Sequence, residues 1–457
     1  MKKYLLSATF FFCVFVSFAQ TSDSAVIRKI YSEILVNGNA YEWLRQLSVN
    51  VGGRLSGSQE AEKAVQVTEI MMRNTGADSV WLQEVWVPHW VRGLKESGKI
   101  IDAKKKAQDV PICALGGSVA TPAEGITATV IEVHNFDELM KLGKEKIQGK
   151  IVFYNHPFDE TFITTFEAYG EAAEYRWSGP SEAARYGAIA TICRSMTNAQ
   201  DDFPHTGSMG YNDSLPKIPC AAISTNGADL LSRVLRADAG TQFFMKLNCE
   251  KLDSVLSHNV IGEIRGTEHP EEIIVVGGHL DSWDTGKGAH DDGAGVVQSI
   301  EILRTLKALG IKPKRTIRAV AFMNEENGNR GGRKYEEIAD NKKEKHVAAI
   351  ESDAGGFTPY GFGMEMPDEK RMLVKSWAPL FRPYLVWNFE DSHGGTDIGP
   401  LRDRMKVPLF GLEVDSQRYF DYHHAASDTF DKVNKRELHL GAAAMAAMAY
   451  LLSVHGL

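Results

Sequence analysis

Cysteine is scarce. The 457-residue chain has five, and no two are spaced C-x-x-C, so zinc-ribbon and thioredoxin-type chemistry find no support. Long basic runs are missing as well, and the net charge is −8, which removes nucleic acid from the expected partners. There is no internal repeat, no low-complexity tract and no long apolar segment beyond the first twenty residues. What remains is an ordinary soluble composition, 43% hydrophobic and 24% charged. Its length suits two or three domains, or one large domain carrying an insertion.

The one long apolar run stands at the start. "MKKYLLSATFFFCVFVSFAQ" has a basic Lys2-Lys3 beginning, an apolar core from Leu5 to Phe18 and small residues at Ser17 and Ala19. That pattern predicts a secretory signal peptide over 1–20, too short and wrongly flanked for a spanning helix. Cys13 lies inside the apolar core, not after a lipobox, so no lipid anchor is expected. The expected location is exported, periplasmic or secreted, with no membrane attachment once the leader is removed. Export implies an oxidising compartment. Cys113, Cys193, Cys220 and Cys249 would then form up to two disulfides or remain free buried thiols.

Helical spacing of apolar residues covers "AYEWLRQLSVNV" and "SQEAEKAVQVTEIMMRNTGA", with the loop "GGRLSGS" between them. "SVWLQEVWVPHWVRG" alternates and predicts a strand ending at Pro88. The texture changes over 119–250, where short strands such as "ATVIEV", "GKIVFYN" and "GAIATICRS" alternate with helical pieces. From about 257 a strong strand–helix rhythm sets in with near-continuous apolar strands. This predicts an α/β fold: a mixed, mostly parallel sheet sandwiched by helices, assigned to 21–118 and 251–457, with 119–250 inserted.

Active sites in such sheets lie beyond the carboxyl ends of the strands. In this chain the chemistry-bearing residues gather there. His279 and Asp281 follow "IIVVGG", Glu325 and Glu326 follow "IRAVAFMN", and Asp353 follows "VAAIES". The loop "GGHLDSWDTGKGAHDDGAG" (277–295) adds Asp291 but lacks the spacing of a calcium hand. With His424 the set holds two imidazoles and several carboxylates, a mixed N/O donor set that suits zinc better than calcium or magnesium. Five ligands exceed one tetrahedral zinc and suit two metals sharing a bridging carboxylate. One member of the Glu325–Glu326 pair would serve as general base and the other as ligand.

The order His-x-Asp, Asp-Asp-Gly, Glu-Glu, Ser-Asp, Tyr-His-His and Asp-Thr resembles the co-catalytic di-zinc aminopeptidase and carboxypeptidase superfamily. Within it the chain resembles the carboxypeptidase Q branch, through "GGRLSGS", "VPHW", "GGHLDSWDTGKGAHDDGAG", "KPKRTIRAVAFMNEENG", "ESDAGGF", "GGTDI" and "YHHAASDT". The resemblance implies a secreted exopeptidase with two Zn2+ per chain and short peptides as substrates, dipeptides favoured. It implies His279 and Asp353 on one zinc, Glu326 and His424 on the other, and Asp291 bridging, with a strained peptide bond to Asp292. Asp281 would hold the His279 imidazole. Zinc-bound hydroxide would be the nucleophile and Glu325 the general base. His424 is chosen over His423 because the family's last ligand stands four residues before the Asp of Asp428-Thr429. Tyr422, His423 and Thr396 are candidates for the oxyanion or substrate side, with packing the competing role for Tyr422. His290 and His393 read as structural, and Asp284 and Asp292 as loop carboxylates. The insert resembles a protease-associated domain, and a homodimer is a further implication of the resemblance. Two alternatives are a single-zinc glutaminyl-cyclase-like acyltransferase and a catalytically inactive binding module of the same fold.

Overall fold

A computed structural model describes residues 23–457. The leader assigned to 1–20 lies outside these described residues. Helical segments over 23–37, Ala40–Arg45 and Gln59–Asn74 lead into β1 (Ser79–Val91). The chain then builds a separate sheet from β2 (Ser97–Ile101), β3 (Ala107–Val110), β4 (Ile112–Ala114), β5 (Ile126–Val133), β6 (Ile151–Tyr154), β7 (Ala190–Arg194), β8 (Cys220–Ile223) and β9 (Gln242–Lys246). It returns with β10 (Glu250–Ile264), β11 (His269–His279), β12 (Arg315–Phe322), β13 (Lys345–Glu351), β14 (Pro359–Glu365), β15 (Asn388–Glu390) and β16 (Leu409–Val414).

The first sheet has the order β1-β10-β12-β11-β13-β16-β14-β15. Its centre, from β12 through β11 and β13 to β16, is parallel, and antiparallel pairs flank it. Both faces are covered. On β11, Ile274 and Val276 join the core that contains the helices Ala294–Ala308 and Lys435–His455, while Ile273 and Val275 join the opposite core with Tyr335 and Leu401. A strand buried on both sides must be apolar at every position, which is why "IIVV" does not alternate. Contrary to the expectation of no long apolar segment after the first twenty residues, the helix Lys435–His455 is long and apolar enough to cross a bilayer, but most of it is buried in this core.

The second sheet runs β3-β2-β9-β5-β6-β7-β8-β4, so its strands begin at Ser97, ahead of the composition change at 119. β1 also differs from expectation. It continues through Pro88 to Val91, with a register shift between Val87 and His89. Proline supplies no ladder donor, and a bulge on an edge strand tolerates that loss. The four cysteines Cys113, Cys193, Cys220 and Cys249 are buried free thiols.

The "GGRLSGS" loop delivers Arg54 into the interior with no exposed surface. Its Nε donates to the Leu280 carbonyl at 2.5 Å, and its Nη atoms donate to the carbonyls of Lys287 and Gly288, both at 3.0 Å. Burial disfavours its charge, and the carboxylates of Asp428, Asp281, Asp292 and Asp291 counter that. The guanidinium thus ties down the loop after β11 while balancing buried anions. Arg54→Met removes one side of that balance and should cost about 3–5 kcal/mol of stability. Urea titration checks this, with Arg54→Lys also destabilised because an ammonium lacks the planar fork. A loss below ~1 kcal/mol would mean that the carbonyls and carboxylates need no buried cation.

Candidate metal centre

β12, β11 and β13 are adjacent and parallel, so their carboxyl ends form one edge. His279 ends β11 opposite Phe322, and Gly277 pairs with Glu351. Residues two to four positions beyond these strands therefore converge. Gly278 allows the close approach that follows, since a Cβ there would lie 2.3 Å from an Asp292 oxygen. That oxygen accepts the His279 backbone N–H at 3.0 Å, and its twin accepts from Gly295 at 2.9 Å. Asp292 is therefore fully buried and fastens the start of the helix to the end of the strand, a tighter role than a loop carboxylate.

Asp291 sits at the middle of the edge. Its Oδ1 lies 3.1 Å from His279 Nε2, and its Oδ2 lies 3.3 Å from His424 Nε2. Asp353 Oδ1 is 3.4 Å from His279 Nε2, and Glu326 Oε2 is 3.1 Å from His424 Nε2. Two imidazole–carboxylate pairs thus stand on either side of one carboxylate. His423 Nε2 is farther from Asp291, at 3.8 Å, and the His423 ring stacks on His424 with centroids 3.5 Å apart. The peptide bond between Asp291 and Asp292 is cis.

The supports around this set differ in part from expectation. His279 Nδ1 meets the Asp281 carbonyl at 3.0 Å, while the Asp281 carboxylate is 3.8 Å away. That carboxylate instead accepts the N–H groups of Asn324 at 2.7 Å and Glu325 at 3.0 Å, so it fixes the loop bearing the glutamate pair. Tyr422 does not line the cleft. It stacks on His290 at 5.3 Å beneath the Arg418 guanidinium, and Tyr419 faces the cleft in its place. His290 also stacks on Phe357, and its Nδ1 accepts from Gly356 at 3.2 Å. His393 is mostly exposed, and Asp284 pairs with Arg92 at 2.6 Å. Thr396 does line the cleft, its N–H held by Glu351 at 3.0 Å.

Several further residues support the set, and of these Asp428 and Glu351 lie within quoted motifs but had no role expected of them. Asp428 accepts the N–H groups of His290 at 2.8 Å and Asp291 at 3.2 Å, holding the central carboxylate from behind. Glu351 gathers the N–H groups of Thr396, Asp397 and Ile398. Its signal was available, as a carboxylate closing the apolar run "VAAIE". Thr206 and Ser208 come from the segment that connects strands of the second sheet. Thr206 offers its carbonyl to His424 Nδ1 at 3.2 Å and takes its own N–H to the His424 carbonyl at 3.0 Å. This exchange holds His424 in a left-handed backbone state (φ 61°), uncommon for a side chain of that size. Ser208 Oγ donates to the Glu326 carbonyl at 2.6 Å.

The donor chemistry fits metal ions. Asp291 Oδ2 is buried and has no hydrogen-bond partner. Burial, reinforced by neighbouring carboxylates, raises the pKa values of Glu326 and Asp353, and pushes Glu325 up to about 8. So many anions packed together out of water call for compensating cations. Two dications between the two imidazole–carboxylate pairs would supply that charge. The residues open onto a cleft of about 960 Å³, large enough for a short peptide.

Residues 259–449 match the model of peptidase family M28. Carboxypeptidase Q of Bos taurus is 34% identical over 437 residues, covering 95% of this chain and 89% of its own. A solved structure of a peptidase M28 precursor from Shewanella amazonensis SB2B is 32% identical, covers 95% of this chain and 97% of its own, and superposes with a TM-score of 0.90. A zinc aminopeptidase from Bacillus subtilis shares the fold at 20% identity and a TM-score of 0.63, with 90% of this chain and 94% of its own covered.

The two neighbouring histidines separate by metal content. His424→Ala should lower the zinc held per chain, because it removes an imidazole directed at both Asp291 and Glu326. His423→Ala should retain the metal. Elemental analysis after dialysis checks both, and the reverse pattern would shift the ligand by one residue.

Proposed function

Because the chain belongs to peptidase family M28 and is a metallopeptidase, we propose that it is an exported di-zinc exopeptidase acting on short peptides, dipeptides above all. The observation that carries the reading is Asp291, with one oxygen toward His279 and the other toward His424. In this reading His279 and Asp353 would hold one zinc and Glu326 and His424 the other, with Asp291 available to both. Bound zinc would polarise the scissile carbonyl and make a water molecule acidic enough to attack at neutral pH.

Glu325 lines the cleft beside these ligands. Its carboxylate takes the proton of the attacking water and returns it to the nitrogen of the departing amine. Burial raises the pKa of this carboxyl above the ordinary value, the direction that lets it hold the proton between the two transfers. Asp281 fixes where this happens by holding the Glu325 N–H.

The second sheet and its connections form the inserted unit, which walls the cleft through Tyr169, Arg176, Trp177 and Ser208. That wall favours small substrates over long chains. The basic-then-apolar leader at 1–20 supports export, and two copies of the chain per particle are in keeping with the carboxypeptidase Q relationship.

Glu325→Gln should keep both zincs and lose about two to four orders of magnitude in turnover, the span of general acid–base catalysis. Retention of most activity would move the base elsewhere. Zinc analysis of the purified enzyme should give two per chain, where a cyclase-like protein would give one and a binding module none. On a peptide panel, unblocked dipeptides should be cleaved fastest. Equal rates on an acetylated decapeptide would replace this reading with an open, endopeptidase-like cleft.

A further inference from the structure

Arg176 closes the helix Thr165–Trp177 of the inserted unit. It lines the same cleft as Glu325 and is 8% exposed. Buried arginines ordinarily face a carboxylate, yet among the described residues none pairs with this one. Its hydrogen bonds go to neutral groups. Nε donates to the Ser208 carbonyl at 3.2 Å, Nη1 approaches the Thr206 carbonyl at 3.5 Å, and Nη2 donates to Tyr169 Oη at 2.7 Å. Nη2 has two hydrogens, and only one has its partner in Tyr169. Tyr169, having accepted from Arg176, retains its own hydroxyl hydrogen. Two strong donors therefore stand side by side without an acceptor.

Their position relative to the metal ligands is defined. The Tyr169 ring meets the His423 ring edge-on at 5.1 Å, and His423 stacks on His424. Arg176 thus sits two aromatic rings, Tyr169 and His423, beyond His424, within the same cavity. The other cleft-lining cations, Lys251 and Arg333, are exposed and hydrated, so an anion gains little by meeting them.

We infer that Arg176, assisted by the Tyr169 hydroxyl, binds the free α-carboxylate of the substrate and so sets the enzyme's preference for a short peptide with an unblocked carboxyl end. This rests on the short-peptide reading above and assigns its specificity to named residues of the inserted unit. A desolvated guanidinium with no counter-ion is complementary to one negative charge, and an amide in that place offers an acceptor without the charge. A peptide extended past this point would thrust its chain into the wall that carries Arg176.

The test compares the best-cleaved free dipeptide of a panel with its C-terminal amide, using the zinc-loaded enzyme. The free acid should be favoured by about 10- to 100-fold in kcat/KM, the span of a hydrogen bond to a charged group. Arg176→Met should bring that ratio toward one, with the loss falling mainly on KM for the free acid. Tyr169→Phe should lower the ratio by a smaller factor. A wild-type ratio near one overturns the inference while leaving the short-peptide reading intact, and this holds even if Arg176→Met does not fold. Equal losses on acid and amide in Arg176→Met also overturn it, because Arg176 then only clasps the 206–208 segment. Cleavage of long blocked peptides alone overturns both readings.

Discussion

Asp291 is held in place from two directions. Asp428 accepts its backbone N–H and that of His290, while the Asp292 side chain takes the N–H of His279. The loop after β11 is thereby folded onto the strand it leaves, with Arg54 filling the space beneath and binding the same loop's carbonyls. This arrangement concentrates carboxylates where water cannot reach them. Such a cluster is stable only with positive charge close by. Arg54 supplies one fixed charge on the protein side, and the two imidazole–carboxylate pairs face the space where mobile cations would supply the rest.

The same electrostatics give the cleft two poles. One pole is the cluster of carboxyl groups of Glu325, Glu326 and Asp353, and the other is the buried guanidinium of Arg176. A zwitterion is matched to a cleft built this way, with its carboxyl end at the guanidinium and its scissile bond near the glutamate pair. The fold places these poles on different units. The first sheet brings His279, Glu326 and Asp353 to one edge, and the helix Thr165–Trp177 brings the counter-pole from the second unit.

Much of the first sheet's edge was legible from the order of apolar run and polar terminus, because a doubly covered parallel strand must be apolar until it emerges. "IIVVGGH", "AVAFMNEE" and "VAAIESD" declare their ends in this way. The supports were harder to read. Thr206 acts through its backbone, and any residue has a carbonyl, so no side-chain pattern could mark it. Tyr422 and Tyr419 lie on one irregular turn, and the facing of a short 3-10 segment is not set by heptad or alternation rules. Arg54 stood within a small-residue loop that resembled an exposed turn, whereas its carbonyl partners are more than two hundred residues away. The strands β2 to β4 are short, and the exposed β3 follows a lysine-rich turn, so no sustained apolar pattern marks them, and the change of architecture was placed at 119 although the second sheet begins at Ser97.

The reciprocal bonds between Thr206 and His424 join a segment of the second sheet's connections to a histidine that faces Asp291 and Glu326. An enzyme that opened by swinging its inserted unit away would break both bonds and release His424 from its unusual backbone state. Ser208 would also be lost from Glu326. Any outward swing of the second unit would thus disturb His424 and Glu326 together, so the shape of the wall and the geometry of the carboxylate cluster are tied to each other.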